Sequence, residues 1–261
     1  MKTNITIYLL SILVQCSNVL ASDQACTEAE IEGVTHTKEA VLSKACKTLP
    51  NDDSKRIISV IYDTGKTNNQ LPIYNWTVAL ENNKTRLIHS SYTEEIIVDS
   101  AINVYPSSIW IDTANYTLAN GLRAFGVRLN IESGPNCANF YQGDQLTLFT
   151  TKGNKTIPIL KKLPMKFAHY IKNPTCASHD NSKEEITERA KSSITILKTK
   201  QHGLNDIKIT TKSFLIKSIN NNEDEIIDSR IFTKTIYFNG VEYEFGGLEE
   251  NPSKEWWVHK E

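Results

Sequence analysis

The chain has 261 residues, 39% of them apolar and 23% charged, with 29 Lys and Arg against 30 Asp and Glu. That near-neutral balance, with no basic block, excludes nucleic acid and an anionic membrane surface as main partners, since both demand a positive footprint. The length suits one large β domain or two small ones.

In chain order, the first element is a leader. Lys2 supplies a positive start, Ile5 to Val14 an almost unbroken apolar run, and Val19-Leu20-Ala21 a small-residue cleavage pattern, the signature of a secretory signal peptide over 1–21. The apolar run is about ten residues, half of the ~20 needed to cross a bilayer as a helix. Losing Lys2 with the leader takes the net charge from −1 to −2. The expected product is periplasmic or secreted, and no later stretch reads as a transmembrane segment. Cys16 follows Gln15 where a lipidation signal needs a small residue, which reads against a lipid anchor. The remaining Cys26, Cys46, Cys137 and Cys176 are an even set in an exported chain, so two disulfides are expected. Of three connectivities, Cys26–Cys46 and Cys137–Cys176 are favoured because they close the shorter loops.

Thr37 to Lys47 reads as a short N-terminal helix, with Thr37 as cap, Val41, Leu42 and Ala45 as a buried stripe, and Pro50 ending it. After Pro50 the period becomes two. Residues 57–62 form a strand apolar on both faces. Tyr74, Trp76, Val78 and Leu80 begin the next, and Glu81-Asn82-Asn83-Lys84 turns into 85–90. Further strands are expected at 94–104, 109–118, 121–132, 144–151, 155–163, 185–198, 205–219, 227–239 and 241–246. Asn239-Gly240 gives a type I′ hairpin signal, and Gly126 inside a strand signals a bulge or a close backbone approach. Strand starts 8–14 residues apart predict an all-β fold, mainly an antiparallel sandwich or open barrel, with the one short helix. The expected organisation is a β-sandwich-like domain over 22–172, a possible linker over 173–183, and a C-terminal β-sheet region over 184–261 that can belong to the same domain.

Chemistry leaves little trace. No Gly-x-Ser-x-Gly elbow occurs, and the mature cysteines are committed to disulfides. The six His are scattered singly, which argues against a metal site. The pairs Glu94-Glu95 and Glu184-Glu185 point to opposite faces of their strands and cannot act together. Asn220-Asn221-Asn222-Glu223-Asp224 is a hairpin tip without calcium-loop spacing. No catalytic residue, cofactor or metal is therefore assigned.

The candidate binding residues are Asp112, Arg123, Arg128, His202, Asp206, Trp256 and Trp257. Arg123 and Arg128 lie within an apolar strand, where a half-buried guanidinium must find an acceptor. His202-Gly203 reads as a turn in which Asp206 caps backbone amides. Trp256-Trp257 offers adjacent aromatics for a sugar or a protein, or an anchor for the terminus.

Several patches also carry a resemblance. They are Ala45-Cys46-Lys47-Thr48-Leu49-Pro50, Ile111-Asp112-Thr113-Ala114-Asn115-Tyr116-Thr117-Leu118, Arg123-Ala124-Phe125-Gly126-Val127-Arg128, Leu146-Thr147-Leu148-Phe149, His202-Gly203-Leu204-Asn205-Asp206-Ile207, and Tyr237-Phe238-Asn239-Gly240 with Tyr243. Their order resembles a group of uncharacterised exported proteins of Gram-negative bacteria. The resemblance implies a periplasmic location and a shared fold, and carries no activity. Two functions compete: a non-catalytic protein that binds another protein, a glycan or an envelope component, and a hydrolase of envelope polymers or nutrients.

Overall fold

A computed structural model describes residues 25–36, 40–50, 52–98, 102–133, 140–172, 184–219 and 224–245. One helix, α1 (Glu28–Thr35), precedes thirteen strands. They are β1 (Val41–Leu49), β2 (Asp52–Asn68), β3 (Leu71–Asn82), β4 (Ile88–Ile97), β5 (Ile102–Asn103), β6 (Ile109–Ala119), β7 (Leu122–Leu129), β8 (Glu132–Ser133), β9 (Phe140–Lys152), β10 (Lys155–Lys172), β11 (Glu184–Gln201), β12 (Leu204–Ile219) and β13 (Glu225–Ile236). Among the described residues the fold is all-β with a single short helix.

That helix is not where the sequence placed it. Residues 41–47, the bulk of the expected helix, form β1 and pair with β2 from Val41↔Tyr62 onward. The helix lies upstream, where Thr27 and Glu30 make a reciprocal capping box: Glu30 N donates to Thr27 Oγ1 at 3.3 Å and Thr27 N to a Glu30 carboxylate oxygen at 2.7 Å. The Thr-x-x-Glu signature was present in the sequence. Two smaller corrections follow. The strands expected at 85–90 and 94–104 are one strand, β4, over 88–97. The Asn239-Gly240 turn is not type I′, because only Gly240 has positive φ. It is a wider loop in which Asn239 Oδ1 accepts from the Val241 and Glu242 amides and the flanking bridge is Phe238↔Tyr243. Pairs of positive φ instead mark the two-residue hairpins Asn69-Gln70 and His202-Gly203.

Eleven strands form one sheet. Its main path is β1-β2-β3-β4-β10-β11-β12-β13, with β6-β7-β9 branching off β10. The other two strands, β5 and β8, pair with each other. β10 makes the branch possible. It pairs with β9 along its length, touches β4 at Lys155↔Ser91, and exchanges that neighbour for β11 from Lys166 onward. β10 and β11, on either side of 173–183, therefore belong to the same sheet. β6 lies against β1 without a ladder, and Ser43 Oγ donates to the Pro106 carbonyl at 3.1 Å across that junction. The strands β1-β2-β3-β4-β10-β9-β7-β6 thus nearly close a barrel.

Period-two patterning fills three cores. In β2, Ile57 and Ile61 enter the barrel beside Trp76, Val78, Phe125, Val127 and Phe149, while Ile58, Val60 and Tyr62 face outward under Ile31 and Val34 of α1. Both faces of 57–62 are covered, as apolar residues on both faces require. Trp76 donates its indole N–H to Ser59 Oγ at 2.9 Å, satisfying two polar groups inside the barrel. The strands β6, β7 and β9 form a wall shared by two compartments. Their other face contributes Tyr116, Leu118, Ala124, Leu146 and Leu148, beside Leu160 of β10, to a second core, covered by Ile207, Ile209, Ile236 and Tyr243.

The N-terminal segment is locked onto the barrel. Cys26 and Cys46 form a disulfide closing a separation of 20 residues, which stabilises by about 3 kcal/mol on the chain-entropy model. Buried Glu30 lies 2.8 Å from both Arg56 and Arg86, and Arg86 also reaches buried Glu81 at 2.8 Å. Burial would raise the Glu30 pKa, but the Thr27 amide and the two guanidiniums outweigh it and hold the carboxyl below its ordinary range. Cys137 and Cys176 lie outside the described residues.

Candidate functional site: a groove backed by a buried ion pair

The site begins with a missing side chain. Gly126 on β7 stands opposite Asp112 on β6. A Cβ at Gly126 would come within 2.8 Å of Leu146 Cδ1, 3.1 Å of Asp112 Cβ and 3.2 Å of the Asp112 carbonyl oxygen. Glycine is what lets the two strands and the Asp112 side chain approach so closely. The bulge that accompanies this approach lies in β6, between Asp112 and Tyr116.

Asp112 is 4% exposed and its oxygens are occupied. Oδ1 accepts from the Ala114 amide at 3.1 Å, closing the bulge. Oδ2 accepts from the Tyr116 hydroxyl at 2.8 Å, from Arg128 Nε at 2.9 Å and from Arg128 Nη2 at 2.6 Å. The remaining arm of Arg128 donates to Asp144 on β9 at 3.2 Å, with Lys166 Nζ 3.7 Å beyond. The outer face of the guanidinium stacks on Trp110, 4.6 Å from the ring centroid, and that indole is 46% exposed.

This cluster has a fixed polarity. Burial works to lower the Arg128 pKa, but Asp112 and Asp144 overcome it and keep the guanidinium charged. Burial, then the Asp112 charge, pushes the Tyr116 phenol well above its usual value, so the hydroxyl remains a donor.

Tyr116 links the cluster to the surface. Beyond Ile111, β6 runs past the barrel rim and its odd-numbered side chains, Asn115 and Thr117, face solvent. Between β6 and the β11–β12 hairpin lies an open groove of about 560 Å³, lined by Asn115, Tyr116, Thr117, Ile194, Ile196 and Asn205. Asn205 Nδ2 donates to the Thr117 carbonyl at 3.1 Å, and Tyr243 donates to the Asn205 carbonyl at 2.6 Å. These bonds fix the groove walls to each other and to the second core.

The structure brings some of the expected residues together and separates others. Asp112 and Arg128 pair directly. Arg123 sits beside them with a bracing task, donating to the carbonyls of Pro50 at 3.3 Å, Thr113 at 3.1 Å and Ala114 at 3.5 Å, which holds the bulge in place. His202 is exposed at its hairpin tip. Asp206 does not cap that turn: it is 3% exposed, its Oδ1 has no hydrogen-bond partner, and burial together with its charge raises the Tyr243 phenol pKa. Trp256 and Trp257 lie outside the described residues.

Sequence reasoning missed Trp110, Tyr116 and Asp144. The first two were findable, since positions 110, 112 and 116 share one face of an alternating strand. Asp144 was not, because it arrives through the β7–β9 ladder. Compared with protein-family models, curated proteins and solved structures, the chain matches none.

Proposed function

We propose that this is an exported, non-catalytic binding protein of the bacterial envelope that lays an extended ligand, a protein segment or a glycan, along the groove between β6 and β11–β12. The observation that carries this reading is that the groove is built for shape and hydrogen bonding. Its lining mixes the amides of Asn115 and Asn205 with Ile194 and Ile196. The ion pair behind it, Asp112 and Arg128, spends its hydrogen bonds on its own chain. Such a pair braces the wall behind the groove. The leader over 1–21 and the Cys26–Cys46 bond support a non-reducing compartment outside the cytoplasm. No helix among the described residues is long and apolar enough to cross a membrane.

The test is to pan the immobilised protein against a random peptide display library and a glycan array. Selected ligands are then titrated against Thr117→Trp, which fills the groove. A loss of affinity of about tenfold or more supports the proposal. Turnover of ester, peptide or glycan substrates that disappears in Asp112→Ala but survives in Thr117→Trp replaces it with the hydrolase reading.

A further inference from the structure

The sheet ends on β13, a long strand with apolar side chains exposed along it. One edge of β13 pairs with β12 from Lys217↔Glu225 to Ile207↔Ile236. Among the described residues nothing pairs with the other edge. Natural edges are blunted by shortness, proline, a bulge or exposed charge. β13 is twelve residues long and lacks proline, and it carries Ile226, Ile227 and Ile231 at 60%, 43% and 66% exposure. Its only irregularity is the extra residue near Ile227, where the register passes from Leu215↔Asp228 to Ile216↔Ile226. From Asp228 onward the strand is regular.

The sequence of that regular stretch is complementary to itself. Asp228-Ser229-Arg230-Ile231-Phe232-Thr233-Lys234, laid antiparallel against a second copy with Ile231 on the two-fold axis, opposes Asp228 to Lys234, Ser229 to Thr233, Arg230 to Phe232, and Ile231 to itself. Every cross-strand pair falls in a favourable class: opposite charges, hydroxyl with hydroxyl, cation over ring, aliphatic on aliphatic. Asp228 and Arg230, 3.5 Å apart within one strand, lie on the same face and extend the charge pattern along it. A one-residue slip opposes Asp228 to Thr233 and Arg230 to Ile231, so the charge pattern also selects the register.

We propose that this strand is the seam of a symmetric dimer, in which two copies join β13 to β13 across Asp228–Lys234 and the sheet runs continuously through both. A two-fold seam of this kind is closed and does not propagate into fibres. The bulge near Ile227 stops the ladder at one end.

The experiment measures association of the whole protein by sedimentation velocity and light scattering across a wide concentration range. The wild type is expected to pass reversibly from monomer to dimer. Asp228→Lys and Lys234→Asp each place like charges across the seam twice, and each is expected to weaken the dimer by about tenfold. The Asp228→Lys/Lys234→Asp double variant restores the wild-type constant. Mixing the two single variants produces a heterodimer tighter than either homodimer, a result that damage to the monomer cannot imitate. A wild type that stays monomeric at every concentration overturns the proposal. So does a double variant no tighter than the singles, or dimerisation that ignores both substitutions.

Discussion

Removing the Asp112 carboxylate while leaving Arg128 in place strips a mostly buried guanidinium of its main partner. The Arg128 side chain is 16% exposed and that of Asp112 6%. Breaking a fully buried pair by deleting one member costs about 3–5 kcal/mol. Arg128 keeps Asp144 at 3.2 Å and the Trp110 face, which lowers the expectation for Asp112→Ala to about 2–4 kcal/mol. Tyr116→Phe removes a single donor and is expected to cost about 1 kcal/mol. Arg128→Met leaves Asp112 with the Tyr116 hydroxyl and the Ala114 amide, and combined with Asp112→Ala it should cost less than the sum of the two single changes by about 1–3 kcal/mol. Urea unfolding followed by tryptophan fluorescence measures all four variants, with buried Trp76 reporting the barrel core. If Asp112→Ala costs under about 1 kcal/mol, or the two changes simply add, the network does not brace the wall and the account of the site fails.

Four further outcomes are expected. Gly126→Ala drives a methyl into Leu146 and the Asp112 backbone and should destabilise by about 1–3 kcal/mol. Gly33→Ala, exposed in α1 with nothing near its new methyl, should stabilise by about 0.5–1 kcal/mol in the same melt. Glu30 has a folded pKa below its unfolded one, so its contribution is complete above the unfolded value and is lost as pH falls through the folded one. Hydrogen exchange of α1 amides across an acid titration should show this loss, and Glu30→Gln should flatten that part of the curve. Reducing Cys26–Cys46 should lower stability by about 3 kcal/mol and expose α1 first, read as early protease cleavage within 28–35.

The strands were legible because alternation survives wherever a sheet has one covered face, and the run at 57–62 announced two covered faces. The helix was misplaced because residues 41–47 carry helix-compatible side chains. What decides their state is the β2 ladder and the sulfur bridge to Cys26, both non-local. At the site, Asp112 and Arg128 stood out as charges embedded in apolar strands, and Gly126 as a close approach. Their mutual pairing needed the register that sets Asp112 opposite Gly126 and Arg128 opposite Trp110. Asp206 misled because a carboxylate close to a His-Gly turn suggests local capping, while the β12 pleat carries it into the interior.

The wall of β6, β7 and β9 has apolar side chains on both sides. Neither compartment can open without stripping cover from strands the other one depends on. Calorimetry should therefore record one heat-absorption peak for the two, with calorimetric and van't Hoff enthalpies in agreement.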